Sequence, residues 1–160
     1  MKMKRIAASA AAILMALTLF SGCSQTGSKT ITAPTDEVAQ KLMDSLSFEY
    51  PLNQLPEDAA NRLYKLDGEI LEEQAVYVGT GGALADEVSV WRVKDEKDAK
   101  TVQEAAEKRV ENQKASFQDY VPEEMPKLEK AVIQVDGDTI ILCVSSDPEK
   151  AKEVISSFEE

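Results

Sequence analysis

Two β-rich runs, 131–135 (Ala131-Val132-Ile133-Gln134-Val135) and 139–144, stand either side of Asp136-Gly137. An Asp-Gly pair between such runs is a strong short-range hairpin signal, because a type I′ turn requires φ > 0 at both central residues. A type I′ hairpin is therefore expected here. A second pair of runs, 75–78 and 88–93, is separated by the loop Gly79-Thr80-Gly81-Gly82. Two successive hairpins commit the chain to antiparallel pairing and leave one question, namely what covers the sheet.

Helical periodicity supplies the cover. Thr35 or Asp36 opens a stretch with Val38, Leu42 and Leu46 at i, i+4 and i+8, a single apolar stripe. Pro56 at a first helical position, followed by Glu57 and Asp58, starts a shorter helix through about residue 66, closed by Gly68. Asp95 caps a long helix to about Tyr120, and Asp147-Pro148 caps a last one with Ala151, Val154, Ile155 and Phe158 on its apolar side. The expected fold is α+β: a mostly antiparallel four-stranded sheet with helices packed on it, in the order α-α-β-β-α-β-β-α.

On the long helix, Val102, Ala106, Val110, Phe117 and Tyr120 share one face. Gln113 falls inside that stripe and Arg109 on its rim. A polar pair on a buried face needs partners, since an unpartnered group there costs about 1–3 kcal/mol. Asp86 and Glu87, at the entrance of the neighbouring strand, are the expected carboxylates for Arg109. The pair either tacks helix to sheet or borders an anion-binding notch. Trp91, the only tryptophan, is expected to anchor the core. Cys143 lies in the apolar run Ile140-Ile141-Leu142-Cys143-Val144, so it is expected to be a buried and inert thiol.

The first twenty-three residues have a different grammar. Lys2, Lys4 and Arg5 precede an apolar run, 6–20, that ends in Leu19-Phe20-Ser21-Gly22-Cys23. The run is a helix of only ~22 Å against a hydrocarbon core of ~30 Å, too short to span. It reads as a secretory signal ending in a lipobox, with 1–22 removed and a diacylglyceryl group on Cys23; two acyl chains suffice for stable anchoring. Residues 23–34 are small and polar and read as a tether, with 35–160 as one domain. The formal charge of −11 becomes −14 once the three cations of 1–22 are gone. So acidic a body does not suit nucleic acid.

Candidate chemistry is narrowed by what the composition lacks. The chain has no histidine, which removes the commonest general base, the Ser-His-Asp arrangement and His-containing zinc sites. The glycine loop joins strand to strand without a following Lys, unlike a phosphate cradle. Neither Asp136-Gly137-Asp138 nor Asp67-Gly68-Glu69 has the spacing of a calcium loop. No catalytic residue, metal site or cofactor is assigned.

Several short pieces carry a family resemblance. They are Ala85-Asp86-Glu87-Val88, Lys94-Asp95, Arg109 and Gln113 before Phe117, Tyr120-Val121-Pro122, and Asp136-Gly137-Asp138. On these the chain from Leu63 onward resembles an uncharacterised family of Firmicute lipoproteins, the domain of unknown function 4358. The resemblance implies a small anchored domain with no assigned activity. The functional expectation is a membrane-anchored, extracytoplasmic binding or interaction module, held by lipid at Cys23 and meeting an envelope protein or small ligand. The alternative is an accessory envelope enzyme working through paired carboxylates.

Overall fold

The computed structural model describes residues 30–159. Ten elements follow in order: α1 (Thr35–Ser45), β1 (Asn53–Gln54), α2 (Glu57–Tyr64), β2 (Leu71–Val78), β3 (Glu87–Val93), α3 (Ala99–Phe117), α4 (Met125–Glu129), β4 (Val132–Asp136), β5 (Thr139–Val144) and α5 (Pro148–Ser156). The α+β class stands, but the sheet has five strands rather than four, in the spatial order β1-β2-β3-β5-β4 with every pairing antiparallel. The extra strand is the two-residue β1, too short to leave a periodic signature. It pairs Asn53 with Val78 and Gln54 with Tyr77 at one edge.

Helices sheathe both faces of the sheet. Side chains alternate along a strand, so Trp91, Val93, Ile140, Leu142 and Val144 meet α2, α3 and α4 in one core. Val88, Val90, Ile141 and Cys143 meet α1 and α5 in the other. Every residue of the interior strand β5 is buried. Cover on both sides favours apolar residues at every position, which is why 140–144 is a continuous apolar run rather than an alternating one.

Local chemistry sets most element ends. The Asp147 carboxylate accepts from the backbone N–H of Lys150 at 3.0 Å, the expected cap of α5. Four expectations need correction. The β4–β5 turn is centred on Gly137-Asp138, with Asp136 paired to Thr139. Only Gly137 has positive φ (60°) among these, the glycine-first pattern of a type II′ turn rather than type I′. Second, α2 ends on Lys65 in the left-handed conformation, not on Gly68. Third, Asp95 caps a 3-10 turn, 96–98, that leads into α3, and α3 stops at Phe117. Tyr120 therefore lies beyond the helical stripe and is 89% exposed.

The fourth correction concerns the tether. Ile31 is buried in the α1–α5 core, and its carbonyl accepts from Arg92 Nη2 at 3.1 Å. Residues 31–34 thus belong to the folded body. The signal segment, Cys23 and the rest of the tether, to residue 29, lie outside the described residues. No helix among the described residues is long and apolar enough to cross a membrane.

Candidate functional site

The polar residues on the core face of α3 gather at one place. Glu87 opens β3 on the side that faces α3, and its side chain is wholly buried. Arg109, on the rim of α3, donates from Nε and Nη2 to Glu87 Oε2 at 3.2 and 3.1 Å. The other carboxylate oxygen accepts from Ser89 Oγ at 3.2 Å. Since that bond uses the serine proton, the 3.1 Å contact between Tyr64 and Ser89 is donated by the tyrosine hydroxyl. Tyr64 also packs its ring against Trp91 edge to face, 4.7 Å between centroids. A polar line therefore runs from α2 through β3 to α3. Burial pushes the Glu87 carboxyl above its usual range, and the Arg109 charge offsets that only in part.

Asp86 takes a different partner. Lys127 of α4 donates to Asp86 Oδ2 at 2.8 Å and contacts Glu124 Oε1 at 2.9 Å. Glu124 in turn accepts from the backbone N–H of Ala85 at 2.8 Å. All three side chains are largely buried. Desolvation raises Asp86 despite its lysine. For Lys127, burial is the largest single influence and acts downward, but the two carboxylates together outweigh it and hold the ammonium above its ordinary value. The network staples the β2–β3 loop to the segment after α3.

In front of these pairs, between α2, the β2–β3 loop and α3, lies a cavity of about 560 Å³, within the ~300–1,000 Å³ of small-ligand sites. Leu55, Ala59, Leu63, Val78, Leu84 and Phe117 make apolar walls; Arg62, Asp86, Arg109 and Gln113 are its polar lining. Gln113 is 5% exposed, and its Oε1 is buried without a hydrogen-bond partner. Arg62 sits at the solvent side, bound to Asp58 at 2.7 Å. Gly79 forms part of the lip, and it must be small: a Cβ there would lie 2.8 Å from Leu84 Cβ.

The structure thus brings Arg109, Gln113 and Asp86 to one cavity and places Glu87 behind it, as the carboxylate that holds Arg109. Of the two carboxylates expected for Arg109, Glu87 is the partner and Asp86 is not. Sequence reasoning missed Lys127 and Glu124, which lie in two short turns after Pro122 without apolar periodicity. It also missed Arg62, whose i,i+4 spacing from Asp58 was the available signal. Trp91 is fully buried as expected. So is Cys143, whose thiol burial pushes up to about 12. No group of three metal-binding side chains occurs among the described residues.

No curated protein and no solved structure matches the chain. The chain belongs to the family described as Domain of unknown function (DUF4358), whose model matches residues 44–145. That span contains all four residues of the notch.

Proposed function

Starting from membership of that family, we propose that this chain is an exported, lipid-anchored binding module that presents the α2–α3 cavity on the outer side of the cytoplasmic membrane. The observation that carries the binding reading is Gln113, an amide 5% exposed whose oxygen has no partner, beside a guanidinium in a cavity of ligand size. Unpartnered buried polar groups are costly and rare in folded proteins. Gln113 lines a solvent-open cavity next to Arg109 with its Oε1 turned into the protein and unpartnered, which leaves its Nε2 for the cavity, a costly placement best accounted for by a bound molecule that the amide N–H meets.

The anchor rests on the sequence of residues 1–23, and the acidic charge of the remainder gives no electrostatic reason to lie on anionic lipid. Cys23→Ser should leave the protein unprocessed or released, and intact mass should show a diacylglyceryl group on the natural chain. A bare N-terminus would refute the anchor. For the cavity, a thermal-shift screen of small polar-headed apolar compounds should give hits that Gln113→Leu abolishes. Hits unaffected by that change would refute the site. The paired-carboxylate enzyme draws no support from this arrangement: Asp86 is the one carboxylate in the cavity lining, and Lys127 already occupies it.

A further inference from the structure

The binding reading can be deepened to a class of ligand. Besides Arg62, tied to Asp58 at the solvent side, three polar groups and one apolar wall share the cavity, and their unused valences are unequal in sign. Arg109 spends Nε and Nη2 on Glu87, which leaves Nη1 as a donor. Gln113 has its oxygen shut inside the protein, so the amide can meet the cavity only through its Nε2 donor. Asp86 gives Oδ2 to Lys127, which leaves Oδ1 as an acceptor. The remaining surface is aliphatic or aromatic, from Leu55, Ala59, Leu63, Val78, Leu84 and Phe117.

Several ligand chemistries fit this set badly. A phosphate or nucleotide brings two or more negative charges, more than the single guanidinium shared with Glu87 can balance, and Arg62 is tied to Asp58. A free fatty acid offers nothing to Asp86 and leaves that carboxylate facing another. A sugar presents hydroxyls on most sides to a wall that is mainly apolar. Two donors for an anion, one acceptor for a cation, and apolar walls in the same recess match a molecule with both charges and a greasy body.

We infer that the α2–α3 cavity takes an apolar zwitterion, a free amino acid or short peptide with apolar side chains, holding its carboxylate at Arg109 and Gln113 and its ammonium at Asp86. The inference rests on the binding reading above. Each charged contact is made in a partly desolvated site, where charge-assisted hydrogen bonds are the strong ones. Blocking either end of the ligand would therefore remove affinity and strand a protein group.

The test is calorimetric titration of the full chain in detergent with leucine and leucyl-leucine, set against their N-acetyl and C-terminal amide forms and against 4-methylvalerate. One or both free zwitterions should bind, and either blocked form should bind at least tenfold more weakly. Gln113→Leu should weaken binding by at least fivefold, with circular dichroism and Trp91 fluorescence unchanged. Equal binding of the N-acetyl form, or of 4-methylvalerate, would overturn the zwitterion and, if still sensitive to Gln113→Leu, leave the cavity as a site for apolar carboxylates. An amide form that binds as well as the free one would likewise overturn it. No binding by any of the compounds overturns the zwitterion outright. A thermal-shift screen in which other compounds respond to Gln113→Leu would then keep the cavity reading alone.

Discussion

Replacing Arg109 with Met tests whether the polar line through the core is an ion pair or a set of incidental contacts. Glu87 has no exposed side-chain surface, while Arg109 retains 22%. The substitution keeps most of the apolar stem and removes the only cation among the described residues that touches the carboxylate. Removing one partner of a buried pair costs about 3–5 kcal/mol, since the remaining charge stays desolvated. Glu87 keeps its Ser89 hydrogen bond, so a loss nearer 3 kcal/mol is expected at pH 7.

The pH dependence gives the sharper test. The folded pKa of Glu87 already lies above its unfolded value, and losing Arg109 raises it further. A raised carboxyl contributes stability that is fully present below its unfolded pKa and is lost as pH rises through the folded pKa. The deficit of Arg109→Met relative to the natural chain should therefore shrink on acidification, by up to about 1.4 kcal/mol per pH unit within that window. Trp91, the sole and fully buried tryptophan, reports unfolding in urea at pH 7 and pH 5. The expected deficit is about 3 kcal/mol at pH 7 and smaller at pH 5, and Glu87→Gln in the same chain should recover much of the neutral-pH loss. A deficit below about 1 kcal/mol, or one identical at both pH values, would refute the buried-charge reasoning.

The Lys127 staple titrates at the other end of the scale. Because its folded pKa is raised above 10.5, its contribution is intact below that value and should disappear as pH climbs through the folded pKa, seen as an alkaline fall in urea midpoint that Lys127→Met lacks. That variant should also lose about 3 kcal/mol at pH 7, since Asp86 and Glu124 are left buried together. Cys143 should resist a thiol reagent at pH 8 until denaturant is added, given a thiol held near 12; rapid labelling of the native protein would contradict its burial. Gly137→Ala should cost about 1–2 kcal/mol by thermal unfolding, because Gly137 sits at φ 60°. The added methyl itself would meet Thr30 only at 3.7 Å, so a larger loss would point to a cause other than backbone strain.

Elements with a period or a punctuation mark were legible in advance. The hairpins, the stripe Val102-Ala106-Val110-Phe117 and the Asp147 cap follow from local rules, and the inward placement of Gln113 and Arg109 follows from the same helical geometry. What escaped depended on tertiary context. β1 is a strand only because β2 offers it two residues of edge, and Tyr120 left the stripe because α3 ended a turn early. The cation beside Asp86 arrives from forty-one residues downstream, on a segment with no pattern of its own. Ile31 was hidden for a related reason: one apolar residue in a polar stretch carries no period, yet a gap between α1 and α5 fits it.

That buried isoleucine also places the start of the folded body. Its backbone bridges Glu159, and the Arg92 guanidinium clasps the carbonyls of Ile31 and Ala33, so the polypeptide enters and leaves the fold side by side on the α1–α5 face. The recess between α2 and α3 opens on the opposite face of the sheet. Were Cys23 acylated as proposed above, the attachment would reach the body on its α1–α5 side, with the recess on the other.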